Sequence, residues 1–169
     1  MKILIADKSK SIRMRLGFLL SDYENTEIVE VESGREALKI LGINDPPQIA
    51  LVAWMLNDLS GIEVCERVCS ENFERSKKSS PIYIIIMSSK TEPEDVARAL
   101  HAGANDYIQK PWSDLELKAR IEVARRTVEF QSKLIKRYVE ADNKLRRIEA
   151  LGVKARGRKR NSMVTYTNG

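Results

Sequence analysis

Apolar residues recur along this chain in two rhythms. Short, mostly unbroken runs occur at Lys2–Ala6 (KILIA), Glu27–Val31 (EIVEV), Gln48–Ala53 (QIALVA), Ile82–Met87 (IYIIIM) and Asp106–Gln109 (DYIQ), each bounded by turn residues or charges. These read as strands. The first, third and fourth are continuously apolar rather than alternating, which marks strands buried on both faces of a parallel sheet. Between the runs, Ser11–Leu20, Arg35–Leu41, Ile62–Cys69 and Glu94–Ala102 place apolar residues three and four apart, the helical spacing. With the helix after Ser113, strand and helix alternate throughout. The pattern predicts an α/β fold: a doubly wound, five-stranded parallel sheet with helices on both faces, followed by a long C-terminal helix.

Three helix starts carry a Ser/Thr-x-x-Glu capping box, Ser33 with Glu36, Thr91 with Glu94 and Ser113 with Glu116, each expected to satisfy two orphan amides. Doubly wound sheets hold ligands at the carboxyl ends of their strands. At those ends the sequence supplies Asp7 and Lys8, Ala53, Ser88, and Lys110-Pro111. Packing gives no reason for an acid, a hydroxyl and two amines to converge there, so this is the candidate site.

Taken together, ILIAD followed by KSKSIR, LVAWMLNDLSGIEV, IIIMSS and HAGANDYIQKPW are highly specific, and through them Lys2 to roughly Arg126 resembles the receiver domain of two-component response regulators. The resemblance implies a flavodoxin-like strand order and Mg²⁺-dependent phosphoryl transfer from a sensor histidine kinase to an aspartate. A change at the face of the fourth helix, fifth strand and fifth helix then follows. It further implies that Asp7 is one of two metal-binding acids and that the Met55 backbone carbonyl is the third metal ligand. Ser88 would be the hydroxyl on the phosphoryl oxygen, Lys110 the ammonium paired with it, and Tyr107 the aromatic that switches rotamer. Lys110-Pro111 would carry the family's cis peptide.

Two positions depart from that pattern. Lys8 stands where the family has its second acid, and Ala53 where it has the phosphoacceptor. A methyl group accepts no phosphoryl group, and an ammonium repels a divalent ion, so Mg²⁺ binding is expected to be lost. Asp58, nearby in the loop, is expected to point away. Two histories fit: a natural pseudo-receiver, or an altered copy of a parent with aspartate at both positions. Charge suggests that Lys8 reaches Asp7, replaces part of the metal's charge and mimics activation; the opposing reading is a dead, inactive-like receiver.

Helical patterning continues from Asp114 to Ala150 without Gly or Pro, on the order of 55 Å at 1.5 Å per residue. A four-and-three seam runs Leu117, Ile121, Ala124, Val128, Gln131, Ile135, Tyr138, Asp142, Leu145 and Glu149, with Ala141 and Ile148 suggesting a later register shift. It predicts a coiled-coil-like extension over residues 127–150 and a homodimer.

Charge sharpens the division. Residues 1–113 hold 14 bases against 17 acids, residues 114–150 hold 10 against 7, and residues 151–169 hold 5 bases and no acid. The helix is expected to end by Gly152 and residues 151–169 to form a disordered basic tail. The cluster KARGRKR could touch phosphate backbones, but it lacks interleaved aromatics, so nucleic acid is not the expected partner. Cys65 and Cys69 read as core-facing thiols rather than metal ligands, and His101 as no catalytic base. Trp54 and Trp112 are expected to cover the pocket mouth.

The sequence thus predicts a cytoplasmic, stand-alone receiver without enzymatic turnover, contacting a sensor kinase or downstream protein and no membrane. A nucleic-acid-associated adaptor using the basic tail, and a fragment of a diguanylate cyclase, are the alternatives.

Overall fold

The computed structural model describes residues 1–75 and 82–163. The elements are β1 (Lys2–Ala6), α1 (Lys10–Leu20), β2 (Glu27–Val31), α2 (Gly34–Leu41), β3 (Ile49–Ala53), α3 (Gly61–Arg75), β4 (Tyr83–Ser88), α4 (Pro93–His101), β5 (Asp106–Gln109) and α5 (Asp114–Met163). All strand pairs are parallel, in the order β2-β1-β3-β4-β5. The chain divides into a unit of residues Met1–Gln131 and a unit of residues Ser132–Gly169.

In the first unit, neighbouring strand residues point to opposite faces and each face has its own core. Leu4, Ala6, Ala50, Val52, Ile84 and Ile86 pack with Ala37, Leu41, Val64, Cys65 and Ala99 of α2, α3 and α4. Ile3, Ile5, Leu51, Ile85 and Met87 pack with Leu16 and Leu20 of α1 and with Leu117, Ile121, Ala124 and Val128 of α5. This two-sided burial is why residues 3–6, 49–53 and 84–87 are apolar without a break.

That packing changes the meaning of the last helix. The first four seam positions, expected to meet a second copy, lie in the domain's own core. Each fully buried leucine or isoleucine contributes about 2 kcal/mol, so these side chains are not free to exchange partners. Within the second unit, Leu134, Tyr138, Leu145 and Ile148 are exposed. With Ala141 they follow a 4-3-4-3 spacing shifted from the expected one, and Asp142 of the expected seam pairs with Arg146 at 2.8 Å. Helix α5 also continues through Gly152 to Met163. A single interior glycine disfavours a helix by only about 1 kcal/mol, and helix-forming Lys, Arg and Ala follow it. Residues 164–169 of the expected tail lie outside the described residues.

The caps correct the reading as well. Ser33 Oγ accepts from Glu36 N at 3.2 Å and Ser113 Oγ from Glu116 N at 3.1 Å. Glu92, not Thr91, caps α4, without a side-chain bond, because Pro93 occupies the first helical position. A reciprocal box absent from the sequence reading closes at Ser60 and Glu63: Glu63 Oε2 accepts from Ser60 N at 2.8 Å, and Glu63 N donates to Ser60 Oγ at 3.2 Å. No helix among the described residues is long and apolar enough to cross a membrane.

Candidate functional site

Strand order reverses between β1 and β3, and a cleft of about 300 Å³ opens at their carboxyl ends. Asp7, Lys8, Ala53, Met55, Ser88 and Lys110 all line it. The topology thus collects in one place residues that span positions 7 to 110.

Asp7 is 2% exposed and heavily constrained. Its amide donates to Val31 O at 3.1 Å, extending the sheet by one bond, and its carbonyl accepts from Arg13 Nη1 at 2.7 Å. Of its carboxylate oxygens, Oδ1 accepts from Ser9 N at 2.9 Å and Oδ2 from Lys110 Nζ at 2.5 Å. The expected contact between Lys8 and Asp7 is not the one made, because Lys110 already occupies that oxygen. Lys8 lies on the exposed rim with no ion-pair partner among the described residues.

Ala53 closes β3 at 2% exposure, and Gly61 stands directly over it: a Cβ on Gly61 would lie 2.4 Å from the Ala53 carbonyl oxygen. Only glycine allows the loop after β3 to return so closely. Asp58 points away from the cleft, as expected, and accepts from the amides of Gly34 at 2.6 Å, Arg35 at 3.2 Å and Leu59 at 2.8 Å. Burial raises its pKa, but these three amides outweigh that effect and hold the carboxyl below its ordinary value.

Ser88 is buried at the end of β4, where its Oγ accepts from Lys90 N at 3.1 Å and its carbonyl from Lys110 N. The Lys110-Pro111 peptide is cis, as the resemblance implied. Tyr107 does not line the cleft. Its ring is buried against Trp54, edge on, with centroids 6.5 Å apart, and its hydroxyl donates to Lys90 O at 2.7 Å. The Lys90 ammonium lies 4.7 Å above the Trp54 ring and 2.8 Å from Asp95 Oδ1. Lys90 lines both the cleft and a second hollow of about 380 Å³ on the α4–β5–α5 face. Asp106 borders that hollow and accepts from Arg120 Nη1 at 2.7 and 2.9 Å.

Sequence reasoning missed Lys90. Its position two residues after Ser88 was the available signal, since that spacing lets a backbone amide reach back to the hydroxyl. Trp54 borders the cleft as expected, whereas Trp112 does not: it is buried between α1 and α5 with Arg15 5.8 Å from its ring centroid.

The donor set can be tested against the divalent ion that the resemblance implied. A magnesium ion takes several oxygen ligands and favours carboxylates. Here the cleft has one carboxylate, both of whose oxygens are engaged, with lysine and alanine at the other two acid positions. No group of three or more acidic, histidine or cysteine side chains suited to a metal occurs among the described residues. The residues present do not fit Mg²⁺.

Comparison with known proteins bears on the family and the fold. The family model described as "Response regulator receiver domain" matches residues 3–122. The chain is 30% identical over 122 residues to the chemotaxis protein CheY homolog of Campylobacter jejuni, covering 72% of this chain and 90% of that protein. It is 35% identical over 126 residues to the phosphate regulon transcriptional regulatory protein PhoB of Pseudomonas aeruginosa, covering 74% of this chain but 52% of PhoB, about half its length. Among solved structures, a Francisella response regulator receiver domain superposes with a TM-score of 0.62 at 26% identity, covering 75% and 98% of the two chains. Vibrio cholerae chemotaxis protein CheY4 gives 0.62 at 22% identity, covering 73% and 97%, a likeness of fold.

Proposed function

The chain belongs to the response regulator receiver domain family of two-component signalling, and from that premise we propose that it signals by protein contact without accepting a phosphoryl group. The observation that carries this reading is Ala53 at the end of β3, facing Ser88 and Lys110 across a cleft with no free carboxylate. A phosphoryl group needs a nucleophilic oxygen, and offsetting its charge needs a cation; position 53 does not offer the first, both oxygens of Asp7 are engaged, and the cleft does not fit the usual second. Without an acceptor there is no phosphoryl turnover, so the domain is a binding module.

The output reading rests on Tyr107. Buried and bonded to the Lys90 carbonyl, it ties the β4–α4 loop, which follows Ser88, to the α4–β5–α5 face. We take that face as the protein-contact surface and this rotamer as the held state. The exposed Leu134, Tyr138, Leu145 and Ile148 support a homodimer through the second unit, since a 4-3-4-3 stripe is self-complementary between two copies of a helix.

The test is sedimentation equilibrium of the full chain, a Leu145→Glu, Ile148→Glu variant, and a Lys8→Asp, Ala53→Asp variant, each with and without acetyl phosphate. The expected result is a dimer insensitive to acetyl phosphate for the parent and a monomer for the glutamate variant. Aspartate at positions 8 and 53 should confer Mg²⁺-dependent labelling. Radiolabel incorporated into the parent chain would overturn the acceptor-free reading, and a monomeric parent the dimer.

A further inference from the structure

The cleft has changed the sign of what it can hold. Three ammonium groups, Lys8, Lys90 and Lys110, line it against the single carboxylate of Asp7. Two of them are committed: Lys110 to Asp7 at 2.5 Å, and Lys90 to Asp95 at 2.8 Å. Lys8 remains, an ammonium without an ion-pair partner among the described residues. The hydroxyls of Ser88, Ser89 and Ser9 also border the space, while Ala53 and Met87 contribute apolar surface that offers no ligand to a cation.

Resting on the acceptor-free reading above, we propose that this cleft binds a small tetrahedral oxyanion, inorganic phosphate or the phosphate group of a small phosphomonoester, non-covalently and without a metal. Three features decide for an anion. One unpaired lysine lines the space, the serines 9, 88 and 89 border it, and Ala53 leaves room where a bulkier, charged side chain would stand. Charge-assisted hydrogen bonds from ammonium to phosphate oxygen are about twice as strong as neutral ones, so Lys8 is the largest single contributor. Lys110 is the second, sharing its protons between Asp7 and the anion. No bond is made or broken, and the protein then senses the concentration of the anion itself.

Isothermal titration calorimetry of the full chain with sodium phosphate at low ionic strength tests this. Saturable one-to-one binding is expected, weakened about tenfold or more in Lys8→Ala and unchanged in Lys39→Ala, which removes an exposed lysine on α2 away from the cleft. Amide resonances of Lys8, Ser89 and Lys110 should move on titration. Glycerol 3-phosphate in parallel distinguishes the sources: binding as strong as phosphate assigns the monoester, and binding of phosphate alone assigns the free ion. The Lys8→Asp, Ala53→Asp variant should lose phosphate binding and gain Mg²⁺ binding, read by Trp54 fluorescence.

Absence of saturable phosphate binding, or equal binding by Lys8→Ala, overturns the anion site and leaves the acceptor-free reading standing. Labelling of the parent by acetyl phosphate overturns that reading instead, whatever the calorimeter records.

Discussion

The Tyr107 hydroxyl donates a 2.7 Å hydrogen bond to the Lys90 carbonyl, joining β5 to the loop between β4 and α4. Removing only that hydroxyl, in Tyr107→Phe, leaves the ring edge-on to Trp54 and unpairs one carbonyl. The expected loss is about 1 kcal/mol, measured by urea denaturation, with Trp54 fluorescence altered because its neighbouring loop loosens. Unchanged stability and emission together would show that the bond holds nothing.

Asp58 ties the loop after β3 to the amino end of α2. Its folded pKa is held below the ordinary value by the amides of Gly34, Arg35 and Leu59, despite the opposing effect of burial. A lowered carboxyl stabilises the fold fully above the unfolded value, 3.8, and that contribution disappears as pH falls through the folded value. The stability advantage of the parent over Asp58→Asn, followed by guanidinium midpoints, should therefore be largest near neutrality and shrink below about pH 4. An advantage constant down to acid pH contradicts the assignment.

Gly103 has φ +101°, and a Cβ there would stand 2.2 Å from Cys69 Sγ. Gly103→Ala thus meets both backbone strain, about 1–3 kcal/mol, and a collision. Cys69→Ala removes the sulfur contact but leaves the strain and a Cβ at 3.0 Å, so the double variant should recover part of the loss. Calorimetric melting of the four chains of the cycle measures it, and strict additivity would show that the two residues do not touch.

The two thiols of α3 lie one turn apart and shift each other in opposite directions: the neighbouring Cys65 thiol draws Cys69, whose Sγ donates to Gly103 O at 3.4 Å, down to about 7, while Cys69 and burial push Cys65 up. Iodoacetamide should modify Cys69 first, with a rate that rises through about pH 7, while the fully buried Cys65 stays protected. In Cys65→Ser the midpoint should move, since the thiol partner is replaced. Mass spectrometry of the alkylated peptide decides the order, and prior modification of Cys65 contradicts it.

The sheet was legible in the sequence because burial on both faces leaves a continuous apolar run, and β1, β2 and β5 fall at their expected residues. The residues around the cleft were legible because strand ends in this topology converge on one rim. What the sequence hid were choices between equivalent partners. Asp7 had two lysines within plausible reach, and only the folded path after β5 selects Lys110 over its neighbour Lys8. Thr91 and Ser60 both began a capping pattern, but Pro93 moves the first to Glu92 while Ser60 closes fully. The stripe on α5 pointed to burial without saying against what, and the first unit's own core takes its first half.

Gly61 passes so close over the Ala53 carbonyl that position 61 admits no Cβ. The backbone there is a template set by glycine rather than by whichever side chain stands at position 53. Exchanging alanine for aspartate at that point alters which molecules the domain can answer to without redrawing the path of the chain. The course of the chain and the chemistry at the strand end are therefore set by two different residues, 61 and 53.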